Sequence, residues 1–364
     1  MAKVLLIVRP EEWLLLPFLV VLLALHGGEG ALGPGDVADR VARELTVEGG
    51  EFGLFWYFAL WIFGGAFVLS VLLRTPVFRP LRDWWGRPVA AGESSLPKRV
   101  AEALFAGPDG APRRFGFVDT SKVALAAARG YAPFLVCFAI YSLLRDLVAE
   151  LRPGVLYDAP LLALDRAVFG VDPFAWVRAR LDGPWFDGWI DAFCVASYSS
   201  YMYAAPLLAC LLFALGDVRG FRHLMLSISL ASFVGYLGYV LVPVVGPHVA
   251  FPELYARTAG DGSALMVAME AVRGDATRDC FPSLHTAWTA ILLLAAWRYR
   301  RFVFWLYLPF GIGVLVAVFY FGKHYGADVL AGGIVAGAAW RLARAIDAGY
   351  DRLRERHGLA PLSA

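Results

Sequence analysis

Apolar residues in this chain gather in long blocks separated by short polar turns, not in the narrow stripes of a soluble helix. A helix needs roughly 20 mostly apolar residues to cross a bilayer core. Eight blocks approach that length: 12–26, 53–73, 129–147, 189–215, 222–243, 284–297, 302–321 and 325–346. The first is short and begins at Trp13. Glu11 and Glu12 precede it and no Ala-x-Ala-like site follows, which favours an anchor over a cleaved signal. The stretch 74–128 is polar and broken by Pro76, Pro80, Pro88, Pro97 and Pro108, which predicts a loop with room for one surface helix. The segment 148–188 is mixed and amphipathic, with Asp158, Asp165, Asp172 and a turn at Gly170–Pro173. Residues 244–283 are rich in Gly, Pro and charge, and a loop of that length in a compact protein is commonly functional. The pattern predicts an all-α protein, a polytopic membrane helix bundle of about eight transmembrane helices. It divides into two N-terminal helices with a cytoplasmic loop (1–128), a six-helix core (129–346) and a basic cytoplasmic tail (347–364).

Composition strengthens the membrane reading. Of 364 residues, 59% are hydrophobic, 15% aromatic and 18% charged, where a soluble domain is about a quarter charged. Disorder, collagen and coiled coil are excluded. Lys+Arg 33 against Asp+Glu 31 leaves a net charge of +2, which argues against a nucleic-acid partner. With the N-terminus in the cytoplasm, about two-thirds of the Lys and Arg fall in cytoplasmic connections, as the positive-inside rule requires. Trp297-Arg298-Tyr299-Arg300-Arg301 then reads as a cytoplasmic turn. Both termini are cytoplasmic, and the starts of the fourth, sixth and eighth helices face outward. The Ala, Arg and Gly bias looks bacterial, which points to the plasma (inner) membrane. Cys137, Cys194, Cys210 and Cys280 lack CxxC spacing and read as small buried hydrophobes.

Polar side chains at membrane depth carry functional hypotheses. Of six histidines, His26, His223 and His357 read as solvated side chains at helix ends or in the tail, and His248 lies in the outer loop as a candidate phosphate-binding residue. His285 follows Pro282 and Ser283, good helix-start residues, and so falls in a first turn that favours anions. His324 and Asp328 are four apart, which predicts one helical face with the carboxylate accepting an imidazole N–H and freeing the other nitrogen. Two imidazoles at one membrane face, one oriented by a carboxylate, suit phosphoryl transfer, with one attacking and one protonating the leaving oxygen. Arg145, Arg152, Arg278 and Lys323 supply cations for a phosphate, although Asp146 can neutralise Arg145. Two His and one Asp also match a metal-binding triad, but no Glu stands as a base, and the site is read as holding no metal.

Pro282-Ser283-Leu284-His285 with His324 and Asp328 resembles the type 2 phosphatidic acid phosphatase superfamily, over roughly 129–346. That resemblance implies three motifs: Lys-x6-Arg-Pro, Pro-Ser-Gly-His and Ser-Arg-x5-His-x3-Asp. It makes His324 the nucleophile, Asp328 its orienter and His285 the general acid, with a phosphohistidine intermediate and no cofactor. Arg145-x6-Arg152-Pro153 matches the first motif with Arg for Lys. Leu284 replaces the motif Gly, and Ala317 and Val318 stand where Ser-Arg is expected. Both departures, with Leu164-Asp165…Phe169-Gly170-Val171-Asp172-Pro173 and Pro243…Gly246-Pro247-His248, resemble the branch containing inositol phosphorylceramide synthase and, more distantly, sphingomyelin synthase. The resemblance implies transfer of a phospho-headgroup from a phospholipid donor to a lipid alcohol acceptor. A lipid or polyprenyl phosphate phosphatase with the same residues is the alternative. A membrane scaffold or transporter with a decayed site is the non-enzymatic one.

Overall fold

Among the described residues, every element is a helix. In this computed structural model they are residues 120–254 and 277–361, apart from 182, 184 and 187, with scattered positions between 9 and 72. The predicted helices 12–26 and 53–73, apart from those positions, the loop as far as 119, and His26 lie outside them. The elements are α1 (Thr120–Leu151), α2 (Asp158–Phe169), α3 (Pro173–Leu181), α4 (Trp189–Ala214), α5 (Val218–Leu241), α6 (Pro247–Ala250), α7 (Leu284–Tyr299), α8 (Arg301–Tyr320) and α9 (Gly326–Arg356). The six long ones correspond to the six predicted core helices. Two run well past their predicted bounds. α1 begins nine residues earlier, inside the predicted loop, and α9 continues through the predicted boundary at 346.

The protein is a helical membrane bundle. Among the described residues, four helices, α4, α5, α8 and α9, are long and apolar enough to cross a membrane. The other two of the six predicted core spans fall short of that measure: α7 has 16 residues, and the apolar part of α1 spans Leu125–Cys137; the first two predicted spans lie mostly outside the described residues. The burial pattern of α9 is that of a helix in lipid. Its inner stripe is small, with Gly332, Ala336, Ala339 and Ala343 buried at helical spacing. Apart from Trp340, which packs on His223, large apolar residues such as Leu330, Ile334 and Leu342 face outward. Small residues let backbones approach, and lipid tolerates the outward Leu and Ile.

The central helix is α7, which packs on α4, α5, α8 and α9, while α1 packs on α5. Buried hydroxyls on α5 are satisfied within the helix. Ser227, Ser229 and Ser232 donate to the carbonyls four residues back, at 2.6, 2.9 and 2.9 Å. α7 and α9 both begin at one end of the bundle, so their N-termini lie side by side. Arg300, predicted to lie in a solvated turn, is buried instead and pairs with Asp217 at 3.3 Å. Arg300 is the single residue between α7 and α8, and its side chain turns toward Asp217, the N-cap of α5, while Arg298 and Arg301 beside it are exposed. His223, also predicted to be solvated, is buried between Tyr299 and Trp340.

Candidate active site

Two short turns build the site. The first, Cys280–Ser283, leads into α7. Ser283 is the N-cap, and its Oγ accepts from Thr286 N at 3.3 Å. His285 follows within the first helical turn. The second turn, Phe321–Tyr325, joins α8 to α9. Gly322 takes φ 58°, and the N–H groups of Lys323 and His324 both donate to Val318 O, at 2.9 and 3.3 Å. The turn thereby closes the end of α8. His324 stands before α9 and not on its face, as the four-residue spacing had suggested. The turn, not a helical face, brings its Nδ1 to Asp328 Oδ2, at 3.4 Å. The same oxygen accepts Tyr325 N at 3.0 Å, and Oδ1 of Asp328 is buried with no hydrogen-bond partner among the described residues.

Backbone contacts lock the turns together. Ser283 N donates to Asp328 O at 3.2 Å, and the Cys280 thiol donates to Lys323 O at 3.2 Å. Gly332 permits the approach, since a Cβ there would lie 2.4 Å from Ser283 O. His285 Nδ1 and His324 Nε2 therefore meet at 3.0 Å, although 39 residues separate them. His324 and Asp328 are buried. Leu284, the departure from the motif Gly, is taken up by a glycine elsewhere: its side chain fills the space over Gly235 on α5, where a Cβ would lie 2.6 Å away.

Aromatic side chains from α4 surround His285. Tyr198 stacks on the ring with centroids 4.5 Å apart, and Tyr201 lies tilted at 4.5 Å. Phe321 packs edge-on against Tyr198 at 5.7 Å. Sequence reasoning gave these tyrosines no role. The run Ser197-Tyr198-Ser199-Ser200-Tyr201-Met202-Tyr203 inside an apolar block was the signal.

The carboxylates of α2 were noted in sequence but given no role. Asp165 is buried and caps α9 from outside, with Oδ2 accepting Gly326 N at 2.6 Å and Oδ1 accepting Ala327 N at 2.8 Å. Asp158, seven residues earlier and also buried, accepts Gly246 N at 3.0 Å, Tyr325 OH at 2.9 Å and Val245 N at 3.2 Å. One helix thus ties down the second turn, the start of α9 and the loop that carries His248. Burial raises the Asp165 carboxyl above the ordinary carboxylate range, against the two N–H donors and with help from the negative charge of Asp172. Tyr325 is also raised, by burial first and then by Asp158.

The predicted phosphate ligands fall into separate groups. Lys323, mostly buried, has its Nζ 2.6 Å from His248 Nε2. His248 Nδ1 faces Gly322 O at 3.0 Å. A carbonyl only accepts, so Nδ1 carries the proton and Nε2 accepts from the Lys323 ammonium. Arg278 Nη1 donates to Arg152 O at 2.6 Å, and Tyr141 OH donates to Asp279, which also takes the Thr277 hydroxyl at 2.5 Å. These bonds pin the segment before α7 to the end of α1. Arg145 belongs to α1, but its side chain lies outside the described residues. Ala317 and Val318 are buried among Ile190, Cys194 and Tyr198. Among the described residues, no group of three or more His, Cys, Asp or Glu is arranged to hold a metal.

Over residues 159–342, from α2 into α9, the chain matches the model of a family described as the PAP2 superfamily. No curated protein and no solved structure matches it significantly.

Proposed function

The chain belongs to the PAP2 superfamily, which makes it a membrane enzyme of phosphatase or phosphotransferase type, and from that premise we propose that it moves a phospho-headgroup from a phospholipid to a lipid alcohol through His324. The observation that carries this reading is the 3.0 Å contact between His285 and His324, with Asp328 behind the second ring.

Asp328 holds the His324 proton on Nδ1 and leaves Nε2 as the nucleophile. Nε2 attacks phosphorus, the phosphorus–oxygen bond to the diacylglycerol oxygen breaks, and His285 gives that oxygen a proton. In-line attack puts the leaving oxygen on the far side of phosphorus. The direct nitrogen–nitrogen bond must therefore open as the phosphate enters, and each ring then serves its own oxygen or phosphorus. In the second half, His285 takes the proton from the incoming alcohol, whose oxygen displaces Nε2. Charge building on the phosphoryl oxygens meets Lys323, aimed by His248. With Ala317 and Val318 in place of the motif Ser-Arg, Lys323 next to the nucleophile supplies the missing charge. Tyr198, Tyr201 and Phe321 make an apolar wall at His285, which favours a lipid alcohol over water as the acceptor. The distribution of Lys and Arg puts this end of the bundle on the extracytoplasmic side of the plasma membrane, with both termini inside.

The test incubates detergent-purified protein with headgroup-labelled phospholipid, with and without a lipid alcohol, and separates the products by thin-layer chromatography. Label entering a new lipid only when the alcohol is present is the expected result. Label released to water regardless of the alcohol would make the protein a lipid phosphate hydrolase. Neither product from the wild type would remove the enzymatic reading.

A further inference from the structure

α2 buries Leu161 and Leu162 together with both of its carboxylates, and still leaves a second apolar face exposed. Its two carboxylates point into the protein and are consumed by backbone N–H groups and a tyrosine hydroxyl. Its exposed side chains include Leu164, Val168 and Phe169, followed by Val171. A surface helix in water solvates its charges and keeps its outer face polar; this one does neither. The exposed charge on that helix is Arg166, and it is neutralised. Its Nε and Nη2 bond both oxygens of Asp172, at 2.7 and 2.9 Å, the bidentate geometry that suits a guanidinium outside bulk water. Among the described residues, nothing covers this face.

We infer that α2 lies in the bilayer leaflet next to the histidine pair, with Leu164, Val168 and Phe169 among the lipid acyl chains, while Asp158 and Asp165 hold the catalytic turns from the other side. The height of α2 in the bundle supports a lipid surface as the occupant. The Phe169 ring sits on Gly326, the first residue of α9, where a Cβ would lie 2.3 Å from it. One turn further along α9, Leu330 already faces outward on a membrane-capable helix. The apolar face of α2 thus continues the lipid-facing surface of the bundle. Trp176, Trp185 and Trp189 are exposed in the following segment, the residues and the level that mark a membrane–water interface. The geometry makes α2 a strut between lipid and site, with its outer face placed by the membrane and its inner face placing His324 and His248.

The test needs no activity. All four native cysteines are buried, so a nitroxide label can be directed to a single introduced thiol in the full chain, reconstituted in phosphatidylcholine–phosphatidylglycerol liposomes. Leu164→Cys and Val168→Cys are compared with Ile334→Cys, on the outward face of α9, and Ala360→Cys, in the exposed tail. Unlabelled wild type serves as the background control. The expected result is that 164 and 168 collide with oxygen in preference to a water-soluble nickel chelate, as 334 does and 360 does not. Preference for the nickel chelate at 164 and 168 would overturn the inference, because the face would then be in water. Low access to both reagents would overturn it too, because a second copy or another segment of this chain would then cover the face. Neither result bears on the proposed reaction, which the product assay tests separately.

Discussion

The two ends of the bundle each bury a histidine beside charged side chains, and they use it differently. At the far end, His223 spends both ring nitrogens on fixed partners, Tyr299 OH at 2.8 Å and Trp340 O at 3.0 Å, and its ring lies 3.7 Å from Trp340. Arg222 pairs with Asp347 at 2.8 Å nearby. This is a closed network that joins α5, α7 and α9. At the near end, His324 has one nitrogen toward Asp328, while the other meets a second imidazole, itself able to exchange a proton. On the proposed reading of His324, burial and polarity alone do not mark a reactive histidine. What marks it is a second nitrogen facing a group that can let go.

The largest effect expected is from His324→Ala, which should lower turnover by ~10³-fold or more because the nucleophile is lost. His285→Ala should cost ~10²–10⁴-fold, the range of a lost general acid. Single-turnover rates on labelled phospholipid would order the two, and appreciable residual activity in His324→Ala would erase the distinction between the ends. Asp328→Asn should reduce kcat more than tenfold with the fold intact. The loss should fall short of the ~10⁴ of a tightly bonded aspartate, since the contact is 3.4 Å. An unchanged kcat would make Asp328 a helix-start group only. Asp165→Asn keeps one acceptor oxygen where two are needed, and we expect kcat to fall by about tenfold, or ~1.4 kcal/mol, at similar KM. Equal loss of folded protein and activity would indicate plain destabilisation.

The sharpest contrast comes from the far end. His223→Ala leaves a buried hydroxyl and a carbonyl without their partner, at about 1–3 kcal/mol for each group. It should lower the thermal midpoint in detergent while kcat per folded molecule stays that of the wild type. A fall in kcat would show that the two ends are coupled. The smallest effect expected is from EDTA. The proposed chemistry runs through nitrogen and carboxylate alone, so turnover should be unchanged. A loss restored by added metal would favour the triad reading of His285, His324 and Asp328.

Much of this architecture was legible in the sequence. The six core helices follow from apolar run length, and the start of α7 from Ser283, since these are local properties; the start of α1 and the end of α9 lie in polar sequence and did not. The two histidines and Asp328 stood out because polar groups in apolar runs are costly. The misreadings share one physical origin. His223 and Arg300 sit at helix ends, where solvation is the usual outcome, and only the packing of α5, α7, α8 and α9 against one another buries them. Leu284 departed from its motif, and nothing nearby in sequence explained how it fits, because the compensating Gly235 lies 49 residues before it on another helix.

The sequence by itself determined an all-helical membrane protein and the identities of the chemical groups that stand at one end of its bundle. Helix formation depends on neighbours within a few residues. Only the tertiary structure decided that two imidazoles 39 residues apart touch, and that α2 aims its carboxylates inward. It also decided that Lys323 is held by His248 and that the missing Gly of one helix is supplied by another. Those outcomes rest on approaches of a few ångströms between segments distant in the chain. Such distances follow from how all the helices pack at once, not from any one stretch of residues.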